Sequence, residues 1–102
     1  MGQDLYKPLN EALAAAARGP FFPDWEFESL FGLSRAEVAA AVGSIAEPTN
    51  STHAQRVALA GAVTNLLGYP HGCEADWAGW LSVSPADLEI AYATWQAASH
   101  AA

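Results

Sequence analysis

The chain has 102 residues and a mass of 10.7 kDa, with 52% hydrophobic and 15% charged residues. That size and balance fit one packed domain and exclude both intrinsic disorder and two ordinary domains. Eleven acidic against four basic residues give a formal charge of −7, which repels a phosphate backbone and an anionic membrane face, so neither nucleic acid nor membrane is an expected partner.

Alanine is abundant and β-branched residues are sparse, so the expected class is all-α: a compact single-domain irregular bundle of five to six short helices over residues 1–102, with residues 99–102 expected to fray. The first helix spans Leu5 to Arg18, where Leu5, Leu9, Ala12, Leu13 and Ala16 recur at three and four residues. Pro8 belongs in its opening turn, and Gly19-Pro20 reads as a left-handed cap followed by a breaker. The segment Phe21-Phe22-Pro23-Asp24-Trp25-Glu26-Phe27-Glu28 alternates apolar and acidic residues, as a strand would. A short helix is the better reading, because Asp24 can cap it, Glu26 and Glu28 complement its dipole, and Phe27, Leu30 and Phe31 share a face before Gly32.

Ser34-Arg35-Ala36-Glu37 has the spacing of a capping box and opens a helix expected to reach Ala46, with Val38, Ala41 or Val42, and Ile45 buried. Glu47 to Ser51 reads as a loop. Thr52-His53-Ala54-Gln55 repeats the box and opens a helix to Leu67, with Gly68 just past its end and Pro70 barring continuation. Leu59, Val63, Leu66 and Leu67 form one stripe of it, while Ala54, Ala58, Gly61 and Ala62 form a small-residue face that lets another backbone approach closely. This helix therefore belongs at the centre, with Asn65 needing hydrogen-bond partners, and Arg56, inside the apolar stripe, is expected to meet a carboxylate from another element. A short helix through Trp77, Trp80 and Leu81 follows. The last begins at Ser84-Pro85-Ala86-Asp87 and carries Leu88, Ala91, Tyr92 and Trp95 on one side.

Two constellations could carry function. Phe21, Phe22, Trp25, Phe27 and Phe31 crowd into eleven residues, and Trp77 and Trp80 follow later. A small core does not readily hide so many rings, and the rim would be acidic, from Asp24, Glu26 and Glu28 and from Glu74 and Asp76. The expected binding face consists of Phe21, Phe22, Trp25, Glu26, Trp77 and Trp80, for a protein partner or for a second copy in a homodimer. The other constellation is the loop Tyr69 to Asp76, which gathers His71, Cys73, Glu74 and Asp76 as potential ligands of a small molecule or metal. His71-x-Cys73 is not a closed zinc spacing, and no GxGxxG, GxxxxGK[ST] or HExxH motif occurs.

The sequence thus reads as a non-catalytic interaction module without a cofactor. The alternatives are an enzyme with its site at the His71 to Asp76 loop, and an acidic inhibitor, immunity-like or antitoxin-like, of a basic protein. Cys73 is the sole cysteine and no apolar run follows a basic start, so a reducing cytoplasm is the expected location.

Overall fold

Helix starts are where sequence and backbone agree most closely. In this computed structural model, which describes residues 6–45, 52–69 and 72–101, the Ser34 hydroxyl accepts from the Glu37 N–H at 3.1 Å and the Glu37 carboxylate accepts from the Ser34 N–H at 2.8 Å. Thr52 and Gln55 make the same reciprocal pair at 3.1 and 2.9 Å. The Ser84 hydroxyl accepts from the Asp87 N–H at 3.1 Å, with Pro85 as the first helical residue. These devices open α3 (Arg35–Ala41), α4 (His53–Gly68) and α6 (Pro85–Ala101). Before them lie α1 (Tyr6–Arg18) and α2 (Asp24–Phe31), and a single 3-10 turn at Glu74–Asp76 leads into α5 (Trp77–Trp80). The chain is an all-α bundle, with six helices and no strand among the described residues.

Helix ends depart from expectation in instructive ways. Gly32, at φ 70°, closes α2 as a left-handed cap. Gly19 is not left-handed; a side chain there would come within 2.6 Å of the Ala15 carbonyl oxygen, so glycine is needed for close approach. Gly68 belongs to α4 itself, and the helix stops at an extended Tyr69, φ −77° and ψ 133°, because the ring of Pro70 disfavours helical geometry in the residue before it. The cap of α2 is Pro23, and Asp24 is its first helical residue. The helix α3 ends at Ala41 rather than near Ala46, since Gly43 turns at φ 83°. Residues 46–51 lie outside the described part, as does the loop expected there. The helix α6 runs on to Ala101.

The core is built around α1 and α4. The helix α1 packs against α3, α4, α5 and α6, and α4 packs against α1, α2, α3 and α6. Leu9, Leu13, Phe21, Phe27, Val38, Leu59, Val63 and Leu88 are its largest fully buried side chains. The small face of α4 is covered in part: Ala58 and Ala62 are buried, Ala54 is exposed, and a Cβ added to Gly61 would sit 2.8 Å from the Phe31 ring, so a side chain rather than a backbone makes the close approach there. Asn65 beside it donates to the carbonyls of Leu30 and Gly61, at 3.2 and 2.9 Å, tying α4 to the end of α2. Leu67, expected in the buried stripe, is 37% exposed. The radius of gyration, 12.7 Å, is that of a packed domain of this length.

Polar side chains lock the connections. Asn10 accepts from the backbone N–H groups of Gly43 and Ile45, at 2.9 and 3.1 Å, and donates to the carbonyls of Tyr6 and Ile45, at 3.0 and 3.2 Å. Glu11 accepts both the N–H and the hydroxyl of Ser82, at 2.9 and 2.8 Å, and so holds the turn before α6. Arg35 donates to the carbonyls of Ala16, Ala17 and Phe22, at 3.3, 3.1 and 2.8 Å. It also pairs with Asp24 at 2.8 Å and lies 4.4 Å above the Phe27 ring. One guanidinium therefore satisfies the orphan carbonyls at the end of α1 and anchors both the aromatic loop and the first turn of α2.

Candidate functional site

The loop Gly19 to Pro23 drives two rings inward. Phe21 meets Trp77 edge-on, with centroids 6.3 Å apart, and Phe22 meets Phe31 at 5.4 Å and Tyr69 at 5.6 Å. Within α2, Phe27 and Phe31 stack at 4.3 Å and face the core. Phe21 and Phe22, expected on the binding face, are thus core residues. They precede the helix, so no period constrained their direction, and contact with Trp77 for Phe21 and with Phe31 and Tyr69 for Phe22 draws them in.

Trp25 has the opposite fate. It lies two residues before Phe27, and at 3.6 residues per turn that offset points it away from the face that Phe27 and Phe31 bury. It is 80% exposed, the most exposed large apolar side chain described. The carboxylates of Asp24 and Glu28 on the same helix are exposed and that of Glu26 is half-buried, with Glu28, three residues on, sharing the Trp25 side. Glu26 accepts a hydrogen bond from the Tyr69 hydroxyl, and its carboxylate, with some burial, holds the Tyr69 phenol above the ordinary tyrosine range. Glu26 is thereby fixed in place, while Glu28 and most of Asp24 face water. Trp77 and Trp80 are half-buried, and the Trp77 indole N–H donates to the Val83 carbonyl at 2.7 Å. The second aromatic group therefore lines the base of α5, and Trp25 stands as the exposed ring of the expected set.

In the other constellation, Cys73 is half-buried and its thiol donates to the Pro20 carbonyl at 3.4 Å, while Glu74 and Asp76 are exposed. His71 lies outside the described residues. Among the described residues, no three of histidine, cysteine, aspartate and glutamate come close enough to share a metal ion.

Sequence reasoning missed the surface along α4. Two adjoining grooves of about 340 and 390 Å³ run along the surface where α4 packs on α6, with Tyr92 and Gln96 common to both. Arg56, half-buried, lines the first beside Trp95, and Leu67 and Glu89 line the second. The signal was present in the lack of a wholly polar side on either helix.

Comparison with family models, with curated proteins and with solved structures finds no match for this chain. Function therefore rests on the geometry alone. No helix among the described residues is long and apolar enough to cross a membrane.

Proposed function

We propose that the chain is a non-catalytic binding module that docks a basic segment of another protein on the Trp25 face of α2. The observation that carries this reading is Trp25 itself, 80% exposed on a helix whose other rings are packed inward. Leaving a tryptophan in water forgoes about 2 kcal/mol of burial or more, and such anchors dominate protein interfaces when a partner covers them. The partner's chemistry follows from the rim. Glu28, three residues on, shares the Trp25 side of α2, and a lysine or arginine can stack on the indole while meeting that carboxylate. Asp24 and Glu26, which flank Trp25 in the chain, add to the negative potential of the helix. A second copy is a poor occupant here, because a twofold contact at this face sets carboxylates against carboxylates.

An acidic inhibitor of a basic protein is the same chemistry seen from the partner's side. A reducing cytoplasm suits a fold held by packing with one cysteine. The test is an array of peptides graded by charge, probed with the wild-type chain and with Trp25→Ala. Lysine- and arginine-bearing peptides are retained, retention falls as salt rises, and Trp25→Ala weakens it by about tenfold or more. Equal retention by Trp25→Ala would exclude this face.

A further inference from the structure

We infer that a second copy of this chain docks on the outer face of α6, antiparallel to it, forming a twofold dimer through a surface separate from the Trp25 patch. Leu88, Ala91 and Trp95 turn one side of α6 into the core. On the far side Ala86, Ile90, Ala93 and Ala97 are all exposed, Ile90 by 63%, and they follow one another at spacings of four, three and four residues. That spacing is the seam of a two-stranded coiled coil. The helix is therefore apolar on two sides, and the fold covers one.

Shape fits a copy of the same surface. Ile90 forms a ridge, the flanking alanines let a second helix approach closely, and Ala93 is also a wall of the groove beside α4. A ridge next to a groove on one face is self-complementary under a twofold axis, as an isologous contact requires.

Charge selects the antiparallel orientation. Asp87 and Glu89 lie in the first turns of α6, and no further acid follows in that helix. A parallel copy would set these carboxylates against their counterparts. In the antiparallel copy, Ile90 facing Ala93 puts Glu89 level with Thr94 of the other chain. Glu89 and Gln96 stand on the groove side of α6, and Arg56 of α4 lines the opposite wall of that groove near the Trp95 end. Each Glu89 thus approaches the Arg56 end of the other copy's groove, and the axis repeats the contact.

Sedimentation equilibrium over about 5 to 300 µM, where small interfaces associate, reads the outcome. The weight-average mass rises from 10.7 kDa toward twice that value. Ile90→Lys, at an exposed position, keeps the wild-type helical signal and melting temperature but weakens association by about a hundredfold. In a Cys73→Ser background, Ala86→Cys and Ala97→Cys chains cross-link with each other when mixed and not with themselves. A 10.7 kDa species throughout, a dimer that survives Ile90→Lys, or a disulfide formed by Ala86→Cys alone would each overturn the inference.

Discussion

Replacing Arg35 by alanine is the most informative single perturbation of this fold. The side chain makes hydrogen bonds of 3.3, 3.1 and 2.8 Å to three carbonyls, two at the end of α1 and one in the aromatic loop. A partly buried bond from a charged donor contributes about 1 kcal/mol, and the long Ala16 contact less, which gives about 2 to 2.5 kcal/mol. Stacking on Phe27 adds about 0.5 kcal/mol. The Asp24 pair adds little, since Asp24 is 92% exposed and Arg35 30%, so solvent screens it to under about 0.5 kcal/mol. Arg35→Ala is thus expected to cost about 3 kcal/mol, Arg35→Lys about 1.5 because an ammonium cannot reproduce the fork, and Asp24→Asn under about 0.5. Urea unfolding followed by circular dichroism at 222 nm, a wavelength that reports helix, measures all three with the slope held against wild type. Half-molar salt should leave the Arg35→Ala effect nearly unchanged, because carbonyl contacts dominate it. A midpoint shift no larger than that of Asp24→Asn would refute the reasoning and reduce Arg35 to a surface ion pair.

Other expectations follow from the same geometry. Gly61→Ala should destabilise by about 1 to 3 kcal/mol through overpacking against the Phe31 ring, and Phe31→Leu in the same chain should recover part of that loss. Asn10→Ala strands the part-buried N–H of Ile45, while the exposed Gly43 N–H turns to water, and should cost about 1 to 2 kcal/mol in urea. Glu26 raises the folded Tyr69 phenol above its unfolded value, so that stabilisation is complete below about pH 10 and is lost as the pH rises through the folded value. Absorbance titration at about 295 nm, the phenolate band, should show this late-titrating tyrosine vanish in Tyr69→Phe and move toward ordinary in Glu26→Gln.

Local chemistry made much of this readable before the fold was known. Helix caps act within three residues, so Ser34, Thr52 and Ser84 marked their helices correctly, and the small face of α4 foretold a close approach there, though not that the Phe31 ring would make it. Arg35 was invisible as a hub because its acceptors lie thirteen to nineteen residues upstream, brought near only by the packing of α1 on α3. Glycine misled at two ends for opposite reasons: Gly19 is needed for proximity to Ala15, and Gly68 is overruled by Pro70. The aromatic face was legible as a composition but not as a direction. Phe21 and Phe22 sit in a loop with no period to orient them, whereas the exposure of Trp25 follows from its phase relative to Phe27. The apolar outer seam of α6 was overlooked because the stripe through Leu88 and Trp95 already accounted for a buried helix.

The central claim is that Trp25 is the contact residue for a basic partner, and a nitrogen–proton correlation spectrum tests it most directly. The Trp25 indole resonance is assigned by its loss in Trp25→Phe, and the highest-affinity basic peptide from the array is titrated in. The account predicts that the Trp25 indole and the amides of Glu28 and Ser29 shift together and saturate, while the buried Trp95 indole stays in place. Saturable shifts along α4 and α6 with the Trp25 indole unmoved would contradict it.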